Sequence, residues 1–234
     1  MKLNRFLAKH NAMGRTAAHR ALASKRVRID GAIMTDGDLE VDRFTRVELD
    51  ENVLQEPERL LYLMLHKPIG YLSATKDHEH PTVLDLIDDP DKDSLHIAGR
   101  LDRNTSGLLI LTNHGVWSKK FMDPTEKVPK VYHVETLEPI SPDSVSAFAK
   151  GFYFHTEDLT TQPADLQILD SHHARLTIYE GRYHQIKRMF HRVNNRVVSL
   201  HRESIGEIVL PSQLEAGKWR FLTDTEIQSI TPAR

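Results

Sequence analysis

The chain contains no cysteine. That excludes disulfide bracing, thiolate catalysis and cysteine-ligated zinc. No run of about 18 apolar residues occurs, so no segment is a candidate membrane-spanning helix. The N-terminus, MKLNRFLAKH, lacks the apolar core of a secretory signal, and the expected compartment is the cytosol. There is no phosphate-binding glycine loop, no dinucleotide fingerprint and no nucleophile-elbow serine.

Net charge is also small, at −2, but it is unevenly spread. Residues 1–30 carry eight Lys/Arg against Asp30, a local +7. Residues 31–60 carry nine Asp/Glu against three Arg, a local −6. Residues 181–202 carry six Lys/Arg and no acid. Two separate basic patches on a near-neutral chain point to a polyanion that touches both.

With 234 residues, 39% hydrophobic and 27% charged, the chain has the make-up of an ordinary globular protein of one or two domains. Residues 1–55 read as a compact unit. Leu3, Phe6 and Leu7 share one face of a short helix that Gly14 is expected to end. Thr16 is the expected cap of a second helix, with Ala17, Ala18, Ala21 and Leu22 inward and Arg15, His19, Arg20 and Lys25 outward. VRIDGAI alternates around Asp30-Gly31, a hairpin signal. ENVLQEPER, 51–59, reads as a polar linker.

Residues 60–234 are richer in strands: LLYLMLHKP, YLSAT, GLLILT, KVYHVETL, ADLQIL, ARLTIYE and EIVL. Helices interrupt them irregularly. One is expected from Asn113 to about Phe121, and one from Ser141-Pro142 to Gly151. A third, YHQIKRMFHRV, carries Ile186, Met189, Phe190 and Val193 at helical spacing. The last starts at a capping box, TDTE, 223–226. The irregular order predicts an α+β fold with a mainly antiparallel sheet.

Three places could carry chemistry. In GRLDRNTSGLLILTNHG, 99–115, a lone carboxylate, Asp102, lies between Arg100 and Arg103. It could accept backbone N–H groups in a turn. Flanking cations instead favour the ionised form, a weak base at neutral pH but a competent nucleophile or electrostatic stabiliser. On the helix within 179–192, His184, Lys187 and His191 share a ridge, readable as a solvated basic face or as an anion partner with phosphate holders. Tyr132, in KVYHV, is a core tyrosine or a platform for a base. DHEH, 77–80, places His78 and His80 two apart, but no second cluster stands at ligand-like spacing, and no metal is expected.

These segments resemble a known set. RTAAHRALASKRVRIDG resembles the centre of an S4 RNA-binding domain. GRLDRNTSGLLILTNHG resembles the signature of the RsuA/RluB/RluE/RluF branch of the pseudouridine synthases. HKPIGYLSAT is similar to that family's first motif, KVYHVETL to its second, and EGRYHQIKRMF with LHRESIG to its third, in family order and over nearly the whole chain.

The resemblance implies an S4-like domain over 1–55 and a synthase domain over 60–234, on a mainly antiparallel mixed sheet. It implies a catalytic Asp102, a base-stacking Tyr132 and a Lys187 paired with the carboxylate. Arg100 would help fill the gap left by a flipped nucleotide. The RNA contacts it suggests are Arg15, Arg20, Lys25, Arg26, Arg28, Lys67, Arg182, His184 and Arg188. Neither metal nor organic cofactor is implied, and the protein is expected to act as a monomer on ribosomal RNA.

A uracil buried in a duplex must be flipped out before it can be detached from its ribose, turned and rejoined through carbon. Asp102 could attack the ribose anomeric carbon, attack the uracil ring, or assist departure of uracil. Large-subunit relatives usually carry Asn-Arg where this chain has Tyr183-His184. DHEHPTVLDLI resembles the small-subunit type, and no basic tail follows TDTEIQSITPAR. The expected substrate is therefore 16S ribosomal RNA at a single uridine. The alternatives are a 23S enzyme, a catalytically silent S4-domain assembly protein, and a metal-dependent hydrolase using His78 and His80.

Overall fold

The computed structural model describes residues 1–10 and 13–230. The chain divides after Leu60 into two compact units, Met1–Leu60 and Leu61–Arg234. In the first, α1 (Leu3–Lys9) buries Leu3, Phe6 and Leu7, and α2 (Gly14–Ala23) buries Ala18, Ala21 and Leu22. Gly14 opens α2 rather than closing α1, which stops at Lys9, and Thr16 lies inside α2. The DG hairpin forms between β1 (Val27–Ile29) and β2 (Ala32–Ile33). Its turn residues Asp30 (φ 47°) and Gly31 (φ 81°) are both left-handed, as a two-residue turn matched to strand twist requires. β3 (Val47–Leu49) and β4 (Asn52–Gln55) complete a sheet in the order β2-β1-β3-β4. β4 occupies ground expected to be linker. Asp50 and Glu51, both at positive φ (51° and 68°), fold the chain back onto β3 without a glycine.

The second unit runs β5 (Tyr62–Lys67), β6 (His96–Ala98), β7 (Ser106–Thr112), α3 (Gly115–Met122), β8 (Lys130–Thr136), α4 (Asp143–Lys150), β9 (Tyr153–Phe154), β10 (Leu159–Thr160), β11 (Asp165–Ile168), β12 (His173–Ile178), α5 (Gln185–Arg192), β13 (Val197–Ile205), β14 (Ile208–Val209), β15 (Trp219–Phe221) and α6 (Asp224–Ser229). The main sheet is ordered β11-β12-β8-β13-β7-β5-β15, with β6 on β7 and β14 on β13. The described pairings are antiparallel except β13 with β7, which runs parallel through His201↔Ser106 and Arg202↔Gly107. The fold is α+β, as the irregular alternation predicts.

The apolar run of β7 is buried on both faces. Leu109 and Leu111 join Leu63, Leu65, Val134 and Leu200 under Ile186, Met189 and Phe190 of α5. Leu108 and Ile110 face the other way, with Met64, Trp117 and Ile205. Alternate strand residues thus feed two cores, and the helix stripe read from the sequence is the lid of one of them.

Three local expectations change. YLSAT is not a strand: Leu72 makes only an isolated bridge to Thr82, and the Ser73 hydroxyl is committed to Leu101. Asn113 does not cap α3. His114 stands at the cap, while the Asn113 side chain accepts from the Leu61 N–H at 2.9 Å. Central strand β13 is absent from the strands expected, because buried Arg202 and Ser204 sit where alternation calls for apolar residues. The capping box at Thr223 and Glu226 forms as expected.

Candidate active site

Asp102 lies in the loop between β6 and β7. The turn there is closed by its backbone: the Thr105 N–H donates to the Asp102 carbonyl at 3.0 Å. The carboxylate is left for more distant partners. Lys187 Nζ donates to Oδ2 at 3.2 Å, and His184 Nε2 stands 3.6 Å from Oδ1. The flanking arginines do not supply this pairing. Arg103 donates to the Gly70 carbonyl and meets His80, and Arg100 is exposed at the cavity. The Asp102 side chain is 31% exposed and that of Lys187 33%, so the pair is partly open to solvent.

The loop is pinned from beneath. The Ser73 hydroxyl donates to the Leu101 carbonyl at 2.7 Å and accepts from its N–H at 3.1 Å. Lys67 is fully buried, and its ammonium donates to the carbonyls of Pro68 (3.0 Å), Arg103 (3.3 Å) and Thr105 (2.8 Å). Burial pushes this lysine down to about 8, with the Asp102 charge opposing the shift and Arg202 adding to it. The expectation that Lys67 touches RNA is therefore corrected: its charge is spent on the carbonyl of Pro68 and on the two backbone carbonyls just after Asp102, those of Arg103 and Thr105.

Lys187 is placed by the start of α5. Buried Glu180 accepts from the Gln162 N–H (2.8 Å), Arg182 Nε (2.8 Å) and Gln185 Nε2 (2.9 Å). Gln185 in turn accepts from the Arg182 N–H at 3.0 Å. This network fixes the turn from which α5 rises. His184, at that turn, adopts a left-handed backbone (φ 49°) and stacks its ring on Tyr183, 3.9 Å between centroids at 18°.

Tyr132 on β8 is buried and lines the same cavity as Asp102, a space of about 860 Å³. That volume suits a nucleotide-sized ligand. Arg202 of β13 donates to the carbonyls of Leu108 and Gly99, both at 2.8 Å, and to the Tyr132 hydroxyl at 3.4 Å. It thereby ties the stacking candidate to the strand after Asp102 and the turn before it. Lys130, Arg202, Glu180 and Gln185 were not singled out as site residues from the sequence. For Lys130 and Arg202 the available signal was a charged residue in a strand with apolar neighbours, whereas Glu180 and Gln185 lie at the turn into α5 and carried none.

A family model described as RNA pseudouridylate synthase matches residues 61–192, which span every one of these elements except β13. The chain belongs to the RNA pseudouridylate synthase family. Ribosomal small subunit pseudouridine synthase A of Pseudomonas aeruginosa is 50% identical over 230 residues, covering 98% of this chain and 100% of that one. The protein of the same name from Escherichia coli strain K12 is 42% identical with the same coverage. A crystal structure of a pseudouridylate synthase matches with a TM-score of 0.72 at 37% identity, covering 98% of this chain and 99% of that one.

In this pseudouridylate synthase, an isomerase, the other candidate RNA contacts divide. Arg15, Arg20 and Lys25 are exposed on and just after α2. Arg26 pairs with Asp50, and Arg28 donates to the Gly31 carbonyl at 2.9 Å. Arg182 is held by Glu180. Arg188 grips Glu157 through both terminal nitrogens (2.6 and 2.7 Å), lies 3.6 Å over the Phe154 ring and holds the Glu157 carboxyl down to about 2. Within DHEH, Asp77 accepts from the N–H groups of Glu79 and His80, both at 2.9 Å, which closes the turn.

Proposed function

We propose that this enzyme converts a uridine of small-subunit (16S) ribosomal RNA to pseudouridine in the cavity around Asp102. The substrate class rests on the relatives named as ribosomal small subunit pseudouridine synthase A, matched over their full length. The observation that carries the catalytic reading is the Asp102–Lys187 pair, 3.2 Å apart beside Tyr132 in one cavity.

The chemistry is an isomerisation: N1–C1′ breaks, the base turns, C5–C1′ forms, C5 gives up its proton and N1 gains one. Nothing is consumed. Asp102 is the group that meets the nucleotide, and Lys187 orients it and keeps its charge in place. Tyr132 offers a face for the flipped base, a stack worth roughly 1–3 kcal/mol. Arg100, exposed at the cavity, would fill the vacated stack. Residues 1–55 act as an S4-type grip on the phosphate backbone.

Asp102→Asn keeps the shape and removes the charge. Product should vanish from small-subunit RNA or its assembly intermediates while RNA affinity is largely kept. Continued product formation would overturn the catalytic reading. Modification of 23S RNA in place of 16S would overturn the substrate alone.

A further inference from the structure

Two cations face the Asp102 cavity from inside the protein with no carboxylate partner among the described residues. Arg202 is 2% exposed and Lys130 8%. A guanidinium has five N–H donors. Arg202 spends three of them, on Leu108, Gly99 and Tyr132. Lys130 donates to the Val128 carbonyl at 2.9 Å and also lines the cavity. Lys67 differs, since three carbonyls occupy its ammonium and it does not line the cavity. A buried charge without a counter-charge is costly. Two of them around one cavity make sense if an anion arrives there. Burial and the nearby Arg202 push Lys130 down to about 8.

What enters deepest decides which anion. The phosphates of a continuous strand stay at the mouth, and the base of a flipped nucleotide goes inward. Uracil is neutral while attached. When N1–C1′ breaks, the electron pair stays on the base and spreads over N1, O2 and O4. Attack at the ring would likewise push charge onto O4.

We propose that Arg202 and Lys130 form the floor that stabilises negative charge developing on the uracil as it leaves the ribose. The proposal rests on the reading that a flipped uridine occupies the Asp102 cavity. Such cations act more strongly on the departing base than on the bound one, so they lower the barrier rather than tighten binding.

The test compares single-turnover consumption of a target uridine with that of 5-fluorouridine at the same position. Fluorine withdraws charge and makes the base a better leaving anion. Consumption is the readout because C5 cannot shed fluorine as a cation. Arg202→Gln and Lys130→Gln should slow uridine by about 10²-fold and fluorouridine by clearly less. Lys130→Arg and Arg202→Lys should recover most of the rate. Equal losses on both substrates, or charge-keeping variants as slow as neutral ones, would mean packing only and overturn the proposal. If Arg202→Gln loses its cooperative unfolding transition, Lys130→Gln alone decides the comparison. Asp102→Asn separates the two readings: if it still consumes uridine, the parent reading fails, and if it is inert, a substrate-independent loss sinks only this one.

Discussion

Lys67 is a cation that solvent never meets, and its work is local. Three carbonyls, two of them within three residues after Asp102, converge on one ammonium. Lys67→Met removes the donor and leaves buried acceptors, at a cost of roughly 1–3 kcal/mol. Its pH dependence follows from the shift to about 8 against a reference of 10.5. Between those values the unfolded chain holds a proton that the folded chain has released, so stability rises with pH across that window. The wild-type-minus-variant difference in urea unfolding free energy should therefore grow from pH 8 to pH 10. A difference that stays flat or falls would refute this account. The sequence showed Lys67 beside Pro68 but not the carbonyls it would meet, which lie 36 and 38 residues away. It also pointed to the neighbours of Asp102 as charge partners. Arg103 is engaged by Gly70 and His80, Arg100 stays exposed at the cavity, and the partner is 85 residues distant. The residues alone offered Lys187 as an anion partner, and the resemblance joined it to Asp102.

At the scale of elements, β7 and β13 meet beneath the site through a short parallel register, and Gly107 makes the approach possible. A methyl group there would stand 2.3 Å from the Arg202 carbonyl oxygen and 2.5 Å from its nitrogen, at a φ of 108°. Backbone cannot yield as a side-chain tip can. Gly107→Ala should cost at least about 3 kcal/mol or prevent folding. Gly115→Ala, at the exposed start of α3 with nothing within 4 Å, should be neutral or stabilise by up to about 1 kcal/mol. Urea unfolding of the pair checks both, and similar losses would refute the strand-approach argument. The same junction limited what the sequence disclosed. GLLILT was legible as β7 because both its faces are apolar. VVSLHRESI hid β13 because Arg202 and Ser204 point inward. α5 was legible through Ile186, Met189 and Phe190, whereas the Glu180–Gln185 network that aims it was not.

Across the whole molecule the charge asymmetry was plain in the sequence, but its internal cancellation was not. Part of the +7 of residues 1–30 is met by acids from 31–60: Lys2 by Asp38 and Arg26 by Asp50. Arg15, Arg20 and Lys25 remain exposed with no ion pair among the described residues. If this unit grips phosphates, these three carry much of the grip. Each phosphate contact contributes about 0.7–0.9 to the slope of log affinity against log salt. The triple variant Arg15→Ala/Arg20→Ala/Lys25→Ala should weaken binding and flatten that slope by about 2 to 3. The single-turnover rate at saturating RNA should hold, because Asp102, Lys187 and Tyr132 all belong to the other unit. An unchanged slope would move the phosphate grip away from α2. A collapse of the saturated rate would mean that these cations also set how the uridine reaches Asp102, a coupling that a separable grip excludes.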